Sequence, residues 1–109
     1  MIDSQTFELT RHLNDLVIAL RQYGLWSEDR PKPEALHSTM PFCYDTLEIE
    51  QWLQFIFIGR MREILEQGDG LPSSCGISPY VETLVGFGRK LPPSLLVILS
   101  DIDSVIENK

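Results

Sequence analysis

The side chains of this chain that could take part in catalysis or metal binding are few and scattered. There are two histidines and two cysteines, and Cys43 could act as a nucleophile only with His37 or His12 beside it. Nothing in the sequence supplies a third group to orient such a pair. The motif Glu34-x-x-His37 occurs once, whereas a di-iron bundle needs Glu-x-x-His on two facing helices. We therefore expect no catalytic residue, no metal site and no cofactor.

A group of polar and aromatic side chains, most of them near residue 40, gives an alternative prediction, a pocket for a small molecule. Tyr44, Asp45 and Arg60, with His37, could surround a small molecule. Two of these residues also have simpler structural interpretations. Asp45 is a typical helix cap. Arg60 follows a run of apolar residues, so its charge needs an acidic partner, such as Asp45 or Glu63, or a route to solvent.

The segment before Arg60 predicts a helix that is apolar on nearly every side. Residues Trp52 to Ile58 are interrupted only by Gln54, although a surface helix needs a single apolar stripe to face its core. Such a helix is either central to the fold or partly covered by another chain. Trp52 is expected to be a core residue, with an interface anchor as the alternative. Gln54 either faces solvent or is a buried amide bonded to loop backbone.

Apolar residues at helical spacing predict a first helix, which begins at a cap, Asp3 or Ser4, and stops at Gly24. Its buried face consists of Leu9, Leu13, Leu16, Leu20 and Tyr23. The prolines between Leu25 and Thr46 exclude a regular helix there. We expect a loop of about twenty residues, unusually long for a compact domain, that packs across the other helices by its apolar side chains.

The second helix should begin at Asp45 or Thr46, where Asp45 and Glu48 resemble a capping box, and end before Gly68-Asp69-Gly70. The third should span Pro79 to Arg89, with Ser78 as its cap.

One face of the third helix would carry Tyr80, Leu84 and Phe87, and the buried stripe of the last helix would carry Leu95, Leu99, Ile102 and Ile106. These elements predict an all-α fold in a single domain, residues 1–109. The expected architecture is an antiparallel four-helix bundle with a long packed loop between helices 1 and 2.

Composition restricts the possible partners. The formal net charge is −7, from 16 acidic and 9 basic residues, and no segment forms a basic stripe. Direct binding to nucleic acid is therefore not expected. No apolar run is long enough to span a bilayer, and no secretory leader is recognisable, so we expect no membrane association. Cys43 and Cys75 are most simply reduced thiols of a cytoplasmic protein, with a single disulfide as the alternative.

Several short motifs together resemble the YqcC-like family of small bacterial proteins. They are Ser38-Thr39-x-Pro41-Phe42-x-x-Asp45-Thr46, Trp52-Leu53-Gln54, Arg60-Met61 and Ser78-Pro79-Tyr80. Leu47 and Gly59 stand where relatives are expected to have Met and Pro. The resemblance implies an all-α bundle and a cytoplasmic protein without an established activity. It also implies a link, by name or gene neighbourhood, to tRNA pseudouridine synthase C. No catalytic residues are carried over.

These observations favour a non-catalytic protein-interaction or accessory module, possessing a protein partner or forming a homodimer, over an enzyme. The alternative is a small-molecule-binding protein or small enzyme with a pocket under the loop Thr39–Asp45. The candidate binding residues are Thr39, Pro41, Phe42, Tyr44, Asp45, Trp52 and Arg60.

Overall fold

Every regular element within the described residues, 4–68, 70–72 and 74–107 of a computed structural model, is helical. The helices are α1 (Ser4–Gln22), α2 (Pro33–Leu36), α3 (Ile49–Trp52), α4 (Ile58–Gln67), α5 (Ile77–Gly86) and α6 (Pro93–Glu107). The all-α prediction is confirmed. None of these helices combines the length and hydrophobicity needed to cross a bilayer. Asp3 and Asp69, predicted as a cap and a turn residue, lie outside the described residues.

The centre of the fold is the contact between α1 and α6, the most extensive between any two of these helices. Most residues of the predicted apolar stripes are buried: Leu9, Leu13, Leu16 and Leu20 on α1, and Leu95, Leu99, Ile102 and Ile106 on α6. Tyr23, which was predicted to continue the stripe of α1, follows the end of that helix and is 46% exposed. Hydrogen bonds lie at both ends of this contact. Gln5 Nε2 donates to Val105 O at 2.8 Å, and the hydroxyls of Tyr23 and Ser94 lie 2.8 Å apart. The start of α1 therefore lies beside the end of α6.

The long connection after α1 packs against the rest of the chain, as predicted, but it is more ordered than its prolines indicated. It contains the single-turn helix α2 and a 3-10 turn, Pro41–Cys43. Both begin with proline, which is compatible with the first position of a helix because its missing N–H needs no partner there.

Gln54 fixes the first part of this connection. Its side-chain oxygen accepts a hydrogen bond from Ser27 N at 2.8 Å, and its nitrogen donates to Ser27 O at 2.9 Å. Of the two predicted roles for Gln54, the structure shows the amide bonded to loop backbone. Arg30 lies 5.9 Å from the centre of the Phe55 ring and adds a second contact between this connection and the same helical segment.

The second predicted helix begins later than the sequence indicated. It starts at Ile49, and the capping box pairs Glu48 with Gln51 instead of Asp45 with Glu48. Asp45 is unavailable as a cap because its carboxylate accepts a hydrogen bond from Ser38 Oγ at 2.6 Å. A π-helical turn, Leu53–Phe57, then joins α3 to α4 without a break.

The third predicted helix is displaced toward the N-terminus and is capped from elsewhere in the chain. It begins at Ile77 instead of Pro79, and Ser78 does not act as a side-chain cap. The carboxylate of Asp103, on α6, accepts hydrogen bonds from Ile77 N at 3.2 Å and Ser78 N at 2.6 Å. Asp103 is 7% exposed, so a buried carboxylate satisfies amides that the sequence assigned to a local serine.

The end of this helix also differs from the prediction. α5 ends at Gly86, and Phe87, which was predicted to lie on one face of this helix with Tyr80 and Leu84, follows its end and is 88% exposed. Gly88 has a φ of 104°, a conformation that favours glycine, and it turns the chain away. Arg89 then forms ion pairs with Glu48 at 2.6 Å and Glu50 at 2.5 Å, which join the end of α5 to the start of α3.

Candidate functional site

A groove of about 450 Å³ runs along the π-helical turn and α4 and is the candidate site. Its walls come from the 3-10 turn, from the helical residues between 52 and 64, and from the connection that precedes α5. The described lining residues are Pro41, Phe42, Trp52, Ile56, Phe57, Arg60, Met61, Ile64, Gly70, Pro72, Ser74 and Cys75. Most of them are apolar, so the groove offers a hydrophobic surface with few polar groups.

Phe42 lines the groove and is held in an unusual backbone conformation. Its φ is 57° and that of Cys43 is 50°, so two consecutive residues other than glycine adopt left-handed geometry. Such geometry costs free energy and persists only where the surroundings fix it. The surroundings here are aromatic. The Phe42 ring stacks on Tyr80 at 4.5 Å between centroids and meets Trp52 edge-on at 4.9 Å.

Trp52 connects this aromatic cluster to the groove wall. It is partly buried, and its ring stacks on that of Phe57 at 5.4 Å between centroids. Phe57 belongs to the π-helical turn, a rare conformation that is frequent at functional sites. Trp52 therefore packs against the core, as predicted, and also lines the groove.

Arg60 is the one charged residue among the described residues that line the groove. The predicted ion pair with Asp45 or Glu63 is absent, because the ion pairs found among the described residues are both made by Arg89. Arg60 is exposed, so its charge reaches solvent, which was the second possibility. Its guanidinium remains available for an acidic group that enters the groove.

The structure brings some of the predicted site residues together and separates the others. Pro41, Phe42, Trp52 and Arg60 line one groove. Three further candidates, Thr39, Tyr44 and Asp45, are exposed and do not line it.

His37, the remaining member of the predicted ligand pocket, is also exposed outside the groove. The polar set proposed for that pocket, which comprised His37, Tyr44, Asp45 and Arg60, therefore contributes only Arg60 to the groove. Within the described part of the chain, no three His, Cys, Asp or Glu side chains are grouped in a way that could hold a metal ion.

Several groove residues were missed by the sequence analysis, although part of the signal was present. Ile56 and Ile64 follow Trp52 and Arg60 at four-residue spacing, which places side chains on one helical face. Extending that spacing from the two predicted residues would have found them. Cys75 and Pro72 come from a distant connection, and no local pattern links them to this face.

Burial raises the pKa of two side chains in or beside the groove. The pKa of the Cys75 thiol is raised from 9.0 to about 11, first by burial and then by the negative charges of Asp103 and Glu107. The pKa of Tyr80, which stacks on Phe42, is also raised, by burial and by Glu48. Cys75 is therefore a neutral thiol near neutral pH, and Arg60 supplies the only charge that the described groove residues present.

A family model described as "tRNA pseudouridine synthase C" matches residues 8–105, nearly the whole chain. The chain belongs to this family, DUF446. Its relatives include YqcC of Escherichia coli, which is 32% identical over 93 residues that cover 85% of each chain. An uncharacterized protein of Haemophilus influenzae is 46% identical over 72 residues, which cover 66% of this chain and 68% of that protein. The resemblance to the YqcC-like family is confirmed.

A third relative differs in size. It is the tRNA pseudouridine synthase C of Pectobacterium carotovorum, which is 38% identical to this DUF446 chain over 71 residues. Those residues cover 65% of this chain but only 19% of that protein.

The fold is also shared with a solved structure. The solution NMR structure of YqcC from E. coli superposes with a TM-score of 0.83 at 28% identity. The superposition covers 97% of this chain and 91% of that one. The all-helical fold described above is therefore shared with YqcC.

Proposed function

We propose that this protein is a non-catalytic accessory module that binds tRNA pseudouridine synthase C. The observation that carries the proposal is the Pectobacterium relative, in which a stretch similar to this chain makes up 19% of a protein with that name. A module and a synthase that share one polypeptide meet at a high effective concentration. Where such a module is a separate protein, a specific surface must bring the two together.

The chemistry of the groove supports a protein partner. It is lined mostly by apolar side chains, of which Trp52, Ile56 and Ile64 are partly exposed, and an apolar surface that solvent can reach is typical of interaction sites. The net charge of −7 disfavours direct binding to the phosphates of tRNA. In this proposal the module contacts the synthase, and the synthase contacts the RNA. The complex would form in the cytoplasm, where free thiols such as those of Cys43 and Cys75 are usual.

The proposed architecture for this role is an antiparallel four-helix bundle. Its members would be α1, the continuous helical segment 49–67, α5 and α6. The hydrogen bonds at both ends of the α1–α6 contact support opposite directions for those two helices.

Two other candidates are each favoured by one observation. A homodimer is favoured by exposed apolar side chains on α1 and α6, namely Phe7, Ile18 and Val97. A small-molecule ligand is favoured by the groove itself, because 450 Å³ lies within the range of about 300–1,000 Å³ that is usual for ligand pockets.

Size-exclusion chromatography with light scattering tests the proposal. The purified chain is mixed with the synthase C of the same organism, and a second pseudouridine synthase from that organism is the control. We expect a complex whose mass is the sum of the two proteins, formed with synthase C and not with the control. Two unchanged separate peaks at micromolar concentrations would contradict the proposal, and a chain of doubled mass on its own would favour the homodimer.

A further inference from the structure

The groove presents a charge opposite in sign to that of the whole molecule. The chain carries a net charge of −7, yet the charged residue among the described lining residues is a cation, Arg60. Among the described residues no acidic side chain pairs with Arg60. A buried or bound arginine without a partner is unfavourable, so an occupant that covered Arg60 would need to supply a carboxylate.

The apolar part of the groove has the dimensions of a helix contact. Trp52, Ile56, Arg60 and Ile64 follow one another at four-residue spacing along one continuous helical segment, and all four line the groove. Twelve residues of helix extend over about 18 Å. A partner helix of about three turns would match that length and would place two or three apolar side chains in the groove.

We infer that the groove receives an amphipathic helix of the synthase, whose Asp or Glu side chain pairs with Arg60. The apolar face of that helix packs between Trp52 and Ile64. This inference rests on the proposed partnership with the synthase and names the surface and the chemistry of the contact. An RNA occupant fits less well, because nucleic-acid sites present several cations to the phosphates and the described groove residues present one.

Isothermal titration calorimetry of full-length variants against the purified synthase tests the inference. Arg60→Glu reverses the charge at an exposed position whose side chain makes no hydrogen bond or ion pair with another described residue, so the fold should be retained. Arg60→Lys keeps the charge. Arg11→Glu is the matched control, because it makes the same charge change at an exposed position on α1 outside the groove. A second groove variant, Ile64→Gln, changes the apolar wall without adding charge.

We expect Arg60→Glu to weaken binding at least about tenfold and Ile64→Gln to weaken it several-fold. Arg60→Lys and Arg11→Glu should stay within about threefold of the wild-type affinity. Circular dichroism checks that each variant retains the wild-type helix content.

Each other outcome has a definite meaning. If the wild-type chain binds and both groove variants bind equally well, the groove is not the contact surface, and the inference fails while the proposed partnership stands. If the wild-type chain does not bind the synthase, both fail. If Arg60→Glu abolishes binding to tRNA but leaves binding to the synthase unchanged, the occupant is RNA and the inference is overturned.

Discussion

Asp103 shows how one side chain can stabilise a helix that is distant in sequence. Its two carboxylate oxygens accept hydrogen bonds from Ile77 N and Ser78 N, the first amides of α5. Helix N-termini carry amides without a partner inside the helix, and they favour negative charge. Asp103 therefore fixes α5 against α6 as well as capping it.

Removing that carboxylate should destabilise the fold. In Asp103→Ala the amides of Ile77 and Ser78 lose their acceptor, and we expect the free energy of unfolding to fall by about 2–3 kcal/mol. Urea unfolding followed by circular dichroism measures the change. Asp101→Ala, at an exposed position on the same helix, should change it by less than about 0.5 kcal/mol. Equal losses in the two variants would show that the cap contributes nothing.

Cys75 should make stability depend on alkaline pH. The pKa of its thiol is 9.0 in the unfolded chain and about 11 in the folded protein. Between these pH values the folded state therefore keeps a proton that the unfolded state loses. The contribution of the protonated Cys75 thiol to the free energy of unfolding is complete below pH 9.0 and is lost as the pH rises toward 11.

The measurement is urea unfolding of the wild type and of Cys75→Ala over that pH range. We expect the wild type to lose stability more steeply than the variant, which controls for every other titrating group. Parallel curves for the two proteins would contradict the raised pKa.

At the scale of the elements, the π-helical turn and Gln54 act together. The turn lies between α3 and α4, and Gln54 in its second position forms two hydrogen bonds with the backbone of Ser27. These bonds attach the connection after α1 to the same segment that forms the groove wall.

Gln54→Ala should release that connection. The variant loses both hydrogen bonds, and we expect a loss of about 1–2 kcal/mol in stability together with faster hydrogen exchange at the Ser27 amide. Exchange followed by NMR reports on that amide directly. Gln67→Ala, at an exposed position of α4, is the control and should leave the Ser27 amide protected. Unchanged exchange in Gln54→Ala would show that the connection is held by other contacts.

The elements differ in how far the sequence could predict them. The stripes of α1 and α6 were predicted correctly except for Tyr23, because a helix that packs along its length repeats its apolar positions at a regular spacing. The start of the second helix was wrong, because the side chain of Asp45 is bonded to Ser38, a contact between residues seven positions apart. The cap of α5 was wrong for a similar reason, since Asp103 reaches it from another helix.

The π-helical turn could not be predicted from local pattern, because an almost continuous apolar run has no periodicity to interrupt. The candidate site, like the elements, could be predicted only where the local sequence determines it. Phe42, Trp52 and Arg60 were found from their residue types, but the polar residues Tyr44 and Asp45 were grouped with them only by proximity in sequence.

At the scale of the whole molecule, the groove is the surface where aromatic stacking, left-handed backbone geometry and an arginine that forms no ion pair with another described residue meet. The proposal assigns this surface to a helix of tRNA pseudouridine synthase C. Exposed apolar residues elsewhere, such as Ile18 on α1, provide an internal comparison, because a homodimer or a non-specific contact would involve them instead.

Methyl NMR of the isoleucine-labelled chain, titrated with unlabelled synthase C, tests this assignment most directly. Ile56 and Ile64 line the groove, and Ile18 is exposed outside it. We predict that the methyl signals of Ile56 and Ile64 shift or broaden in proportion to the synthase added, while that of Ile18 stays unchanged. A spectrum in which the groove signals stay fixed, with or without a change at Ile18, would contradict the account.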